Sequence, residues 1–342
     1  MHGGCGGKMD NSISLNAYAK INLSLEITGK RDDGYHDIMS LMQGIDLCDV
    51  IEIKNCAENG TKYNLPHCTI DGVVVYLCTD AKTIPADMSN LAFKGIKAVL
   101  DGYFERFGSG HADAIHGAEL QVPRELTISI DKRLPVAAGI AGGSGNGAAC
   151  MLGLNALMGY PFSLRELMDL GVRVGADVPF SLMMNAGQNA AVLAGMAGVE
   201  EAGPSAWVSG IGDIVEAAEP VHRHIIMANP GISVSTRDAY AEIDSIKKYT
   251  GKASRELFIN DLEDYTLTAY PEAAELKQLM QDELDAETVL MSGSGPTMIA
   301  YYSDGRTADS DFTKFKEMSG SRSGWRSWRS VTGSTQNNIS TE

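Results

Sequence analysis

The stretch LPVAAGIAGGSGNGAACMLGLN, residues 134–155, limits what this chain can fold into more than any other. Its first half is almost bare backbone. From Asn146 onward, Met151, Leu154 and Met158 recur at helical spacing, so a loop of small residues runs directly into a helix N-terminus. Glycine permits positive φ and close approach of other atoms. Consecutive N–H groups can then line a concavity, and the helix dipole adds about half a positive charge there. Ser144 can offer a hydroxyl to a phosphate oxygen or a metal. A flexible connector, or a Gly/Ala helix packed tightly on another element, explains the same composition. The lack of proline beyond Pro135 and the direct run into an apolar helix favour an anion cradle.

Two familiar glycine motifs do not fit. A Walker A loop needs Lys and Ser or Thr after its last glycine, and none follows here. GSGNGA satisfies G-x-G-x-x-A, but a dinucleotide fingerprint sits immediately after its strand. Here KRLPVAAGIAG separates it from the strand-like ELTISID, and no acidic residue ends a second parallel strand.

The segments around this loop alternate. Ile13, Leu15 and Ala17 oppose Ser12, Ser14 and Asn16; Ile21, Leu23, Leu25 and Ile27 oppose Lys20, Asn22, Ser24 and Glu26. Both read as half-buried strands, as do DVIEIK, VVVYL and ELTISID. DDGYH supplies a turn. A helix is predicted from Asn90 as its cap, another over SLRELMDLGVRVG, and further helices over TRDAYAEI and YPEAAELKQLMQDEL. HIIMANP, ETVLM and TMIAYY read as buried strands of a second half, the last two flanking the turn SGSGPT. This order is α+β rather than a regular βαβ winding. The Ser/Gly/Arg-rich end is expected to hold one strand near RSVTG, then disorder.

The net charge of −16 over 342 residues argues against a broad nucleic-acid surface. An anionic nucleotide needs only a few aimed N–H groups and one or two cations. Six cysteines without a C-x-x-C pair point to a reduced, cytoplasmic protein. No apolar run approaches the roughly 20 residues of a membrane helix. MHGGCGGK is too short and polar for a signal peptide; it reads as an upstream extension, with Met9 an alternative natural start.

Other residues carry chemistry only in combination. Lys20 and Asn22 share the polar face of one strand, with Cα atoms roughly 7 Å apart; a solvated strand face is the plainer explanation. Asp177, in VGADVPF, has apolar neighbours, so its carboxylate needs a partner or serves as an N-cap. Beside a lysine it would form a pair able to activate a hydroxyl. MSGSGPT is a hairpin turn or a second glycine loop framing the same ligand. Tyr35 and His36, after a turn, could stack on and hydrogen-bond a base. The two histidines of HRH at 222–224 lack a third ligand and are read as non-metal.

AYAKINLSLEITGKRDDGYHDIMSLMQGIDLCDVIEI, LPVAAGIAGGSGNGAA, GADVPF, NPGISVST and MSGSGPT, in this order over residues 17–297, together resemble the GHMP kinase superfamily. The lysine strand with DGYH is most similar to the branch acting on a cytidine diphosphate methylerythritol. The resemblance implies an α+β fold of two domains: a ribosomal-protein-S5-like N-terminal domain over 9–187 and a ferredoxin-like C-terminal domain over 188–332. Residues 333–342 would be a disordered tail. It implies a kinase in the bacterial cytoplasm, using ATP and Mg2+, that phosphorylates the 2-hydroxyl of that substrate for isoprenoid precursor synthesis, with no nucleic-acid or membrane partner. Lys20 and Asp177 match the catalytic pair and Asn22 the erythritol contact. Tyr35 and His36 match the cytosine site, with Tyr240 as a second stacking ring. Pro135, Ala137, Ala138, Gly139, Ile140, Ala141, Gly142, Gly143, Ser144, Gly145 and Asn146 would hold ATP, with Asn90 near the adenine and Ser144 reaching the metal. Ala141, Gly147 and Pro296 depart from the residues frequent in the family; the first two keep the loop small, and Pro296 removes an N–H. A mevalonate or homoserine kinase is the alternative within the superfamily, and a non-catalytic nucleotide-binding regulator the alternative outside it. DGYH argues against the first and the Lys20/Asp177 pair against the second.

Overall fold

The computed structural model describes residues 11–56, 64–108, 122–136, 138–246, 249–320 and 322–333. Two long strands begin the fold, β1 (Ser12–Lys30) and β2 (His36–Asn55), paired antiparallel through the DDGYH turn. The large sheet also takes in β3 (His67–Ile70), β4 (Val73–Cys78) and β5 (Glu125–Asp131), in the order β3-β4-β5-β2-β1. Helices α1 (Leu91–Phe107), α2 (Gly142–Leu157) and α4 (Val178–Gln188) pack on these strands, and α3 (Leu164–Gly171) packs on those helices. The predicted Asn90 cap forms: its Oδ1 accepts from Ala92 N–H at the start of α1. A capping box between Ser163 and Glu166 opens α3.

The second half begins with β6 (Ser205–Gly210) and β7 (Ile214–Ala217). These lie beyond the expected division at residue 187, yet β6 pairs with β2 and so extends the first sheet. A separate four-stranded sheet follows, ordered β10-β11-β8-β12 when β8 is His224–Asn229, β10 Thr288–Met291, β11 Met298–Tyr302 and β12 Arg326–Val331. Short β9 (Ile259–Asn260) pairs parallel with β1. The helices of this half are α5 (Thr236–Ile246), α6 (Glu263–Ala269), α7 (Pro271–Glu283) and α8 (Gly305–Ser319).

β1 corrects the sequence expectation in an informative way. It is one strand of 19 residues rather than two, and it is buried on both faces from Ala17 to Glu26. Its pairing with β2 shifts register between Tyr18 and Lys20 and again between Asn22 and Ser24. Each bulge reverses which face a residue presents. Leu15, Ala17, Leu25 and Ile27 therefore belong to the large core, whereas Ala19, Ile21 and Leu23 belong to a second core with Ile225, Met227, Leu290 and Ile299 of the small sheet. A strand sandwiched between two apolar layers carries buried polar residues on the face opposite its apolar set, and Lys20 and Asn22 are among them, with Ser24 and Glu26.

Two helices escaped the sequence reading, α6 and α8. In α8 the buried positions are Ala308, Asp311 and Phe315. A buried aspartate, whose Oδ2 accepts from Asp285 N–H, interrupts the apolar periodicity.

α1 and α2 cross on glycines. A Cβ on Gly95 would lie 2.6 Å from the Gly147 carbonyl oxygen, a backbone atom that cannot swing aside. Gly95→Val is expected to destabilise the fold by about 1–3 kcal/mol through overpacking. Thermal melting checks this: an unchanged midpoint would show that the crossing is looser than described.

Candidate active site

Lys20 is 4% exposed, and three contacts hold it. Its ammonium donates to Asn22 Oδ1 at 2.8 Å and pairs with Asp177 Oδ1 at 3.2 Å. Its backbone N–H donates to Ile140 O at 3.0 Å. Asn22 in turn donates from Nδ2 to Ser40 Oγ at 2.8 Å, and Ser40 donates to Ser24 O. The amide of Asn22 is thereby oriented with its oxygen toward the lysine.

Asp177 occupies the N-cap position of α4, but its side chain makes no cap hydrogen bond. The carboxylate, 34% exposed, turns instead to Lys20. Two asparagines fix α4 in register along β1. Asn185 Oδ1 accepts from Tyr18 N–H at 2.8 Å, while Asn189 accepts from Asn16 N–H and donates back to Asn16 O, both at 3.0 Å. These residues, four apart at the end of a mostly apolar helix, were the missed signal: buried amides at that spacing call for backbone partners.

The glycine segment packs between the two halves. Helix α2 begins at Gly142, four residues earlier than the sequence reading placed it, after Ala141 at φ 54°. Glycine lets α2 lie against the strand: a Cβ on Gly145 would sit 2.8 Å from Tyr18 O. Pro135, Ala138, Gly139, Ala141, Gly142, Gly143, Ser144 and Asn146 line a cavity of about 880 Å3, a size suited to small-molecule ligands. Two predicted loop residues do not line it. Ile140 is buried in the core between the sheets, and Gly145 is pressed on β1. Ala137 lies outside the described residues. Asn90 lines the cavity, but both side-chain polar atoms are occupied, Oδ1 by Ala92 N–H and Nδ2 by Pro85 O. Its place near an adenine would therefore be one of shape rather than of hydrogen bonding.

The second glycine turn closes the same cavity. Gly293, Ser294 and Gly295 line it; Ser292 Oγ donates to Gly139 O at 3.0 Å, and Thr236 and Ser294 hydroxyls meet at 2.7 Å. A Cβ on Gly139 would lie 2.4 Å from Ser292 O, so the two loops touch through bare backbone. The start of the first loop is held by a residue the sequence reading passed over. Asp49, fully buried, accepts from the Lys132 ammonium at 2.6 Å and from the N–H groups of Arg133 and Leu134. Lys132 lines the cavity beside Gly142.

Aromatic rings line another part of the wall. Tyr35 is 62% exposed, and His36 stacks on Tyr240 with ring centroids 4.8 Å apart and 29° between planes. Burial, with the Asp177 carboxylate nearby, pushes the Tyr240 hydroxyl up to about 12, so it stays a donor at neutral pH. Lys20, Asn22, Asp177, Tyr35, His36 and Tyr240 thus line one cavity together with the glycine segment.

Comparison with known proteins gives the family. The family model described as GHMP kinases N terminal domain matches residues 94–185, and that described as GHMP kinases C terminal matches residues 243–319. The 4-diphosphocytidyl-2-C-methyl-D-erythritol kinase of Syntrophotalea carbinolica is 33% identical over 92% of this chain and 97% of its own. That of Exiguobacterium sibiricum is 35% identical over 84% of this chain and 88% of its own. A crystal structure of 4-(cytidine 5'-diphospho)-2C-methyl-D-erythritol kinase shares the fold with a TM-score of 0.61 at 22% identity, covering 94% of this chain and 100% of that one. The chain belongs to the GHMP kinase family, in the branch of the 4-diphosphocytidyl-2-C-methyl-D-erythritol kinases.

Proposed function

We propose that this chain transfers the γ-phosphoryl group of ATP to the 2-hydroxyl of 4-diphosphocytidyl-2-C-methyl-D-erythritol, a step of isoprenoid precursor synthesis. The observation that carries this reading is the Lys20–Asp177 pair at 3.2 Å in a cavity that also holds an uncapped helix start and a stacked aromatic wall. The names of the relatives supply the substrate.

The cavity fits a triphosphate. The first N–H groups of α2 have no partner within the helix, and its N-cap residue Ala141 offers no side-chain bond to them. Gly142 and Gly143 keep the approach open, and Lys132 adds a cation beside them. Among the described residues no group of three or more His, Cys, Asp or Glu could cage a metal. Mg2+ brought in on the phosphates would find Ser144, which lines the cavity, as an oxygen donor. Bound there, it would neutralise charge on the transferring group.

Phosphoryl transfer asks the protein mainly for positioning and charge stabilisation. Asp177 accepts a hydrogen bond from the substrate hydroxyl, aims its oxygen and takes its proton as the new P–O bond forms. The bond between the γ-phosphorus and its bridging oxygen breaks, and ADP leaves. Lys20 stabilises the developing alkoxide and the phosphoryl oxygens; Asn22 fixes the lysine and touches the methylerythritol. Tyr35, His36 and Tyr240 hold the cytosine. The division between the two halves is drawn between β7 and β8, ahead of the first strand of the small sheet, although short β9 returns to pair with β1; of the tail expected over 333–342, all but Gly333 lies outside the described residues.

ADP release with ATP, offering the cytidine-linked alcohol, mevalonate and homoserine in parallel, tests the reading; turnover of mevalonate or homoserine alone would refute it. Asp177→Asn is expected to lower turnover by about 100-fold or more while nucleotide affinity stays close to that of the parent. Undiminished turnover would take Asp177 out of the chemistry. Tyr35→Ala is expected to weaken the cytidine-linked substrate by about 1–3 kcal/mol, the worth of one base–aromatic stack. Steady-state kinetics with each substrate varied in turn reads this as a raised KM for the alcohol; a change confined to ATP would mean that Tyr35 faces the other ligand.

A further inference from the structure

Asp244 has no part in the proposed transfer, although it lines the same cavity. It lies four residues beyond Tyr240 on α5, hence on the same helix face. Its carboxylate gathers three donors from separate parts of the chain. His36 Nε2 lies 2.6 Å from Oδ1, the Tyr249 hydroxyl donates to the same oxygen at 2.7 Å, and the Lys30 ammonium pairs with Oδ2. Lys30 and His36 are the facing ends of β1 and β2, so Asp244 ties that hairpin to α5 across the base end of the cavity. The Lys30 ammonium first, then His36, holds the Asp244 carboxyl well below the usual carboxylate range. An ionised carboxylate only accepts hydrogen bonds. The short contact with His36 therefore requires a proton on Nε2, which in the neutral ring leaves Nδ1 as a lone-pair acceptor.

We propose that Asp244 is a positioning residue that selects cytosine over uracil: by accepting the Nε2–H of His36 it makes Nδ1 the acceptor that the imidazole offers the base. The exocyclic 4-amino group of cytosine donates to such an acceptor. The 4-carbonyl of uracil meets it lone pair to lone pair. The stack of His36 on Tyr240 fixes the plane of the ring, and the Asp244 bond fixes its rotation within that plane. This inference rests on the cytidine-linked substrate proposed above, and it assigns the base preference to a residue that need not touch the base.

The test compares cytidine 5'-diphosphate with uridine 5'-diphosphate by calorimetric titration of the purified full chain, alongside kcat and KM for the cytidine-linked alcohol and its uridine counterpart. Asp244→Asn keeps the side-chain shape but can donate as well as accept, so the ring tautomer is no longer fixed. The preference for the cytidine ligand is expected to fall by about tenfold or more, through affinity and KM rather than kcat, with ATP kinetics little changed. Asp244→Glu is expected to restore part of it. Lys30→Met removes the ion pair and leaves the imidazole bond, so it should keep the parent preference. Equal losses for both bases in Asp244→Asn, or the same collapse in Lys30→Met, would reduce Asp244 to a structural tie and overturn the proposal. A parent protein that binds cytidine 5'-diphosphate selectively yet turns over neither alcohol would sink the proposed reaction while leaving the base assignment standing.

Discussion

A lysine ammonium kept out of water costs several kcal/mol unless it is paired and hydrogen-bonded. Much of this fold supplies what Lys20 needs. Asn22 gives it a carbonyl oxygen and Asp177 a carboxylate, and each is held by further bonds: Asn22 through Ser40, Asp177 through the asparagines that lock α4 to β1. A charge in such a setting is rigid, and its partner carboxylate, one-third exposed, remains reachable from the cavity. A pair oriented before substrate arrives has little left to reorganise during reaction, which is where electrostatic catalysis gains its advantage over water.

The glycine segment works by being thin. It runs between the large sheet and the small one, with Leu134, Ala138 and Ile140 in the core they share. Its backbone touches β1 at Lys20, the second glycine turn at Ser292, and Asp49 at its start. The contacts that seat the loop are therefore the ones that join the two halves of the molecule. Side chains at Gly139 or Gly145 would push apart backbone rather than flexible atoms. The same economy leaves the first N–H groups of α2 free to face an anion.

Legibility in the sequence varied with the physical source of each signal. Strands β4, β5, β8, β10 and β11 and the helices α1, α3, α5 and α7 declared themselves through periodicity, and α1 also through its Asn90 cap. Edge and crossover pieces such as β7 and β9 did not, because strands of four and two residues carry too few alternations to read. α8 was hidden by a buried aspartate, and α2 by glycines that read as loop but pack as helix. Of the site, Lys20, Asn22, Asp177, Tyr35, His36 and the glycine segment could be picked out as residues with chemistry in search of a context. Asp49, Asn185, Asn189 and Asp244 could not, since each acts on backbone or side chains 80 or more positions away.

By itself the sequence determined the materials: alternating segments that read as strands, a stretch poor in side chains that runs into a helix, and a carboxylate among apolar neighbours that needed a partner or a helix start to cap. Local chemistry settles such things, because propensity, capping and periodicity act over a few residues. The family resemblance aside, no local pattern joins Asp177 to Lys20; the tertiary structure does, at 3.2 Å. Two bulges in β1 choose which face Lys20 and Asn22 present, and the register of α4 along that strand chooses what they meet. A register shift of one residue moves every side chain to the opposite face. Pairing across the sheet sets that register, and no property of residues 12–30 read alone reveals it.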